Sequence, residues 1–130
     1  MGQTEFLTKQ LDVFANVLAR LFNLERRDDL EPALEFVREH VDIELLNKLK
    51  GAEASIIYNN HLLINEIEFL IYLKFSEVEI MEKIGDKTFI LSEKSKECLE
   101  MIDAFLQSNP KIFYMEVEHM KGILLSIINK

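Results

Sequence analysis

Few residues in this chain combine a reactive group with a spacing that chemistry can use. Glu116 and His119 form a Glu-x-x-His pair, which on a helix sets both side chains on one face, as in bundles that hold two metal ions. Such a site needs a second pair and further carboxylates. No Glu stands three residues before His40 or His61. A zinc site needs three or four ligands at characteristic spacing, and Cys98 has no partner cysteine. No native metal and no cofactor is therefore expected, and Glu116 and His119 read as sharing an outer helix face. Cys98 lies in the apolar run Cys98, Leu99, Met101, Ile102, where burial keeps a thiol protonated and inert, so its expected role is to fill the core. The 4 glycines are scattered and build no phosphate-cradling loop. Nothing in these patterns raises catalysis above binding.

A second set of residues is suited to binding. If residues 53–84, which contain neither Pro nor Gly, form one long helix, then Tyr58, His61, Asn65, Glu68, Tyr72, Ser76 and Glu79 fall on one narrow stripe, because their spacings are three and four. Leu62, Phe69, Leu73 and Ile80 stand on one side of it. Ile57, Ile64, Ile67, Ile71, Phe75 and Val78 stand on the other. A helix apolar on two flanks packs against at least two neighbours. The stripe is then either the helix's wet strip or the lining of a groove. Tyr, His and Asn, in place of the Lys, Glu and Gln typical of a solvated face, favour a groove for a peptide or small ligand. Tyr58, His61, Asn65, Glu68 and Tyr72 are its candidate partner-binding residues.

Charge limits what that partner can be. With 23 acidic against 15 basic side chains and a net charge of -8, the chain presents a repulsive field to a polyanion, and nucleic acid is not an expected partner. The basic pair Arg26 and Arg27 runs straight into the acidic stretch from Asp28 to Glu44 and reads as a charged interhelical turn. Glu5, Lys9 and Asp12 interrupt any leader-like apolar segment at the amino terminus, and the most apolar window, Leu62 to Leu73, carries Asn65, Glu66 and Glu68. A cytoplasmic protein without membrane association is the expectation, and the single cysteine suits a reducing compartment.

The elements that position these residues read as helices throughout. Apolar residues 7, 11, 14, 18 and 21 mark a helix over 4–23, with Phe6, Val13, Val17 and Phe22 widening its face. Asp29 is placed to cap a second helix over 30–40 with Pro32 in its first turn. Asp42 is placed to cap a third, ending at Gly51 in a left-handed conformation, and either separate from the second or continuous with it. Gly85 and Asp86 end the long helix. Residues 87–91 read as helical, with Ser92 capping a helix to Ser108, and Asn109 with Pro110 opens a last helix to Ile128. The fold class is an all-α bundle of four to six helices in one domain of 130 residues.

The layout from Leu62 through Pro110, helix, Gly85-Asp86 turn, helix, resembles a tetratricopeptide-type helical hairpin, with Cys98 and Ala104 as its small packing residues. More broadly, the helix patterned as Phe6 to Phe22, the short acidic helix Leu30 to His40 and the hairpin after them resemble a small bacterial family of tetratricopeptide-like proteins of unknown function. That resemblance implies a helical fold and leaves function open. The expectation is a non-catalytic interaction or assembly module that dimerises. The apolar end Ile123, Leu124, Leu125, Ile127, Ile128, with Gly122 allowing close approach, and the wide face of the first helix supply surface for a second copy. The alternatives are a small-molecule or peptide binder using the stripe, and a metal-dependent enzyme built on Glu116 and His119.

Overall fold

A computed structural model describes residues 2–85, 89–109 and 115–129, with the side chains of 2–12 and 115–117 left aside. These residues form an all-α bundle: α1 (Gly2–Arg26), α2 (Leu30–His40), α3 (Ile43–Lys50), α4 (Ala54–Tyr58), a 3-10 turn (His61–Leu63), α5 (Ile64–Ile84), α6 (Phe89–Ser108) and α7 (Met115–Ile128). No strand occurs among the described residues, and no helix among them is long and apolar enough to cross a membrane.

Local chemistry explains most of the boundaries. α1 closes with Asp29 N–H donating to the Leu24 carbonyl and Asp28 N–H to that of Glu25, while Asp28 sits at φ 60. This is the six-to-one, five-to-two closure of a left-handed helix end, with an Asp where Gly is usual. Asp29 occupies the cap position of α2 but makes no side-chain cap bond, so the capping expected of it is not made. Asp42 does cap α3, its Oδ1 accepting from Leu45 N at 3.0 Å. α2 and α3 are thus separate helices. Gly51 ends α3 in extended backbone (φ -88, ψ -176) rather than left-handed. Gly85, at φ 95, ends α5 in the left-handed conformation.

The long helix expected over 53–84 is broken. Asn59 donates its side-chain amide to the Ser55 carbonyl at 2.8 Å and terminates α4, and Asn60 Oδ1 accepts from Leu62 N at 3.0 Å and starts the 3-10 turn. Two adjacent Asn side chains satisfy the loose backbone groups of both helix ends, so the chain breaks without Gly or Pro. This split brings the described residues to seven α-helices where four to six were expected. α6 is already helical at Phe89, the first described residue after Gly85, so Ser92 lies within the helix rather than at its cap. Asn109 turns its amide back to the Phe105 carbonyl at 2.9 Å, closing α6. Asp86, Lys87, Thr88 and Pro110 lie outside the described residues.

α5 is the central element, packing on α2 on one side and α6 on the other, with α7 stacked against α6. Its two apolar flanks go to two cores, as their spacing predicts. Ile67, Ile71, Phe75 and Val78 join Tyr58, Cys98, Ile102, Phe105 and Leu124 in the larger cluster. Leu73 and Ile80 join Leu21, Ala33 and Val37 in a smaller one beneath α1. Phe14 on α1 stacks on Phe69 of α5, ring centroids 4.1 Å apart. Of the apolar carboxy-terminal residues, Leu124 and Ile127 are buried in the larger cluster on the side where α7 packs on α6, and Leu125 stays exposed. On α1, Val13 and Phe22 remain exposed.

Candidate binding groove and the ion network beside it

The break at Asn59–Asn60 rearranges the expected stripe. Tyr58 belongs to α4 and is 4% exposed in the larger core. His61 projects to solvent from the 3-10 turn, whereas Asn65, Glu68 and Tyr72 are half-buried on α5. Ser76 is buried and Glu79 half-buried. One continuous ladder of seven residues therefore does not exist, and its portion on α5 is partly covered rather than wet.

Tyr58 instead reaches a groove of about 800 Å³ that runs along α6, walled on the other side by α3 and α4. Leu49, Ala54, Tyr58 and Met101 supply apolar lining, and Phe89 and Ile90 stand at its end. Phe89 is 77% exposed and Ile90 55%. Lys50, Lys96, Glu93 and Glu100 add charge to the same surface. Burial pushes the Tyr58 phenol up to about 12, so it is neutral and able to donate at any physiological pH. His61, Asn65, Glu68 and Tyr72 do not line this groove.

Beside the groove lies a charge network that the sequence reading did not anticipate. Glu77 of α5, its side chain 4% exposed, pairs with Arg38 of α2 at 2.9 Å, Lys74 of α5 at 3.1 Å and Lys94 of α6 at 3.2 Å. Lys74 Nζ also lies 3.1 Å from Glu97 Oε1, and the other oxygen of Glu97 accepts from Lys50 of α3 at 2.9 Å. Burial pushes the Glu77 carboxyl up, yet the Arg38 hydrogen bond with the Lys74 and Lys94 charges outweighs it and leaves the group below its ordinary value. Glu97 is likewise lowered against its burial by Lys50 and Lys74. Burial pulls the Lys74 ammonium down, and Glu77 and Glu97 more than reverse that. Arg38, Lys50, Lys74 and Lys94 thus surround Glu77 and Glu97, four cations to two carboxylates, in a chain of net charge -8. The sequence carries a signal for it: Lys-x-x-Glu occurs at 74 and 77 and again at 94 and 97, each time on a helix face otherwise given to buried residues.

Cys98 neighbours this network with its Sγ 4.0 Å from the Ile71 carbonyl. Burial raises the thiol to about 12, Lys74 countering only partly. It is a core filler held as the neutral thiol. His119 is exposed on α7, and the side chain of Glu116 lies outside the described residues. Among the described residues no group of three or more His, Cys, Asp or Glu is placed to hold a metal ion. No family model matches the chain, and comparison with curated proteins and with solved structures returns no significant match.

Proposed function

We propose that this chain is a non-catalytic helical interaction module whose groove along α6 takes a segment of a protein partner, the first such partner being a second copy of the chain. The observation that carries this reading is the groove itself: an apolar lining with Tyr58 and Met101, charged residues beside it, and the exposed pair Phe89 and Ile90 at one end. An apolar centre with a polar rim and an aromatic anchor is the anatomy of a protein interface. α5 packs on α6 and α6 on α7, a serial stacking that supports a tetratricopeptide-like mode of building a partner surface. The volume also falls within the range of small-ligand sites, but the openness of the groove along a whole helix suits a polypeptide segment better than an enclosed metabolite.

Sedimentation and native mass spectrometry test the reading together. A dimer is expected at high micromolar concentration, and Phe89→Asp with Ile90→Asp should return the monomer while the helical circular dichroism spectrum stays unchanged. A photo-crosslinker at Glu100 should capture the second chain, and one at Ile43, away from the groove, should not. A clean monomer together with a bound metabolite in the mass spectrum would replace this reading with the small-molecule one.

A further inference from the structure

The groove follows one face of α6 from Phe89 to Ser108, and its two ends differ. Phe89 and Ile90, 77% and 55% exposed, stand at one end, and the small Ala104 with Gln107 and Ser108 lines the other. A protruding apolar end and a shallow end on one helix become complementary when a second copy is turned end for end, because large side chains then meet small ones. Charge on the same face agrees. In a chain of net charge -8 a second copy meets repulsion over the surface as a whole. The groove is lined instead by Lys50, Lys94 and Lys96 with Glu93, Glu97 and Glu100, three cations to three carboxylates, and Lys74 pairs with Glu77 behind them. Two copies can meet there without a net charge penalty.

We propose, resting on the reading of the groove as a self-association surface, that two copies pair through α6 in antiparallel fashion about a two-fold axis near Glu97. Each copy lays Phe89 and Ile90 over Ala104 of the other and sets Lys94 and Lys96 against the other's Glu100. The two-fold axis makes every such contact occur twice. Glu100 is exposed and enters no ion pair among the described residues, and the Lys96 side chain is 53% exposed, so both are open to a partner. Glu97, at the axis, faces its own copy but is already held by Lys50 and Lys74. The parallel alternative sets Glu93 against Glu93, Lys96 against Lys96 and Glu100 against Glu100, like charges throughout, which opposes that register.

Sedimentation and crosslink mapping on the full chain test this. Glu100→Lys should weaken the dimer on the order of tenfold, because both symmetry-related contacts turn repulsive. Adding Lys96→Glu should recover part of that loss, with the circular dichroism spectrum unchanged in both variants. A photo-crosslinker at Gln107 should join Phe89 or Ile90 of the other copy. Those residues lie about 26 Å from Gln107 along the same helix, so such a link forms only between copies. A monomeric parent at high micromolar concentration would remove the groove reading and this pairing together. A parent that dimerises with Glu100→Lys no weaker, or with Gln107 joined to the other copy near Gln107 itself, keeps the groove reading and overturns the antiparallel pairing.

Discussion

Arg38 Nε on α2 donates to Glu77 Oε2 on α5 at 2.9 Å, while the other oxygen of the same carboxylate accepts from Lys94 on α6 at 3.2 Å. A single buried side chain therefore ties together three helices. Because Glu77 is nearly fully buried and Lys74 is 5% exposed, removing the carboxylate leaves the buried ammonium with Glu97 as its one remaining ion-pair partner in the network. Glu77→Ala is expected to cost about 3–5 kcal/mol. Arg38 is half-exposed, and Arg38→Ala should cost no more than about 1 kcal/mol. Urea denaturation checks both, and equal midpoints for Glu77→Ala and the parent would show the network to be energetically idle.

The same network sets an acid limit to stability. Glu77 and Glu97 are lowered in the folded chain, so the stability they contribute is fully present above the ordinary carboxylate value and is lost as pH falls through their lowered ones. Lys74 is raised, so its contribution is present below the ordinary lysine value and is lost only on the alkaline side, as pH climbs through the raised one. The melting temperature should fall on acidification below about pH 4, and more gently in Glu77→Gln than in the parent. Parallel curves for the two proteins would remove Glu77 from the account.

How much of this was legible beforehand depends on the kind of signal. Asp42, Gly85 and the apolar flanks of α5 act locally or by spacing, and each predicted its element. The Asn59–Asn60 break leaves no Pro or Gly, and its effect lies in two side-chain hydrogen bonds, so periodicity ran straight across it and strung Tyr58 onto a stripe with Tyr72. The groove depends on where α4 lies against α6, residues more than thirty apart in the chain, as Tyr58 and Met101 are. Lys74 and Glu77 look like surface charges in a one-dimensional reading. Only the placement of α2 and α6 on either side of α5 makes them buried.

Substitutions along the former stripe separate its members. Tyr58→Ala removes a buried ring from the larger core and is expected to cost about 3–5 kcal/mol, as for other large aromatics. His61→Ala, at an exposed position, should stay within about 0.5 kcal/mol of the parent. Thermal unfolding of the two variants checks the order. A large loss for His61→Ala with none for Tyr58→Ala would contradict the break at Asn59–Asn60.

Cys98 offers a probe of global opening. With its thiol raised to about 12 and fully buried, it should resist iodoacetamide at neutral pH in the folded protein and react at an ordinary rate once urea unfolds the chain. Labelling followed by mass spectrometry reads this directly. Rapid alkylation of the native protein would mean that the seam between α5 and α6 opens far more readily than its packing implies.

Two glycines should respond to alanine with opposite signs. Gly85 ends α5 at φ 95 with nothing within 4 Å of an added Cβ, so the penalty there is purely conformational, about 1–2 kcal/mol for forcing an L-residue into the left-handed region. Gly122 lies inside α7, also with open space around an added Cβ, and Gly122→Ala should stabilise the chain by about 1 kcal/mol, the difference in helix propensity. The close approach that Gly122 permits is therefore unused within the described residues of one chain. If a second copy packs its backbone there, Gly122→Ala will raise the melting temperature in dilute solution yet weaken the dimer. If the groove along α6 is the contact instead, dimer affinity will be unchanged. Melting at low concentration and sedimentation at high concentration, run on the same two variants, tell these outcomes apart.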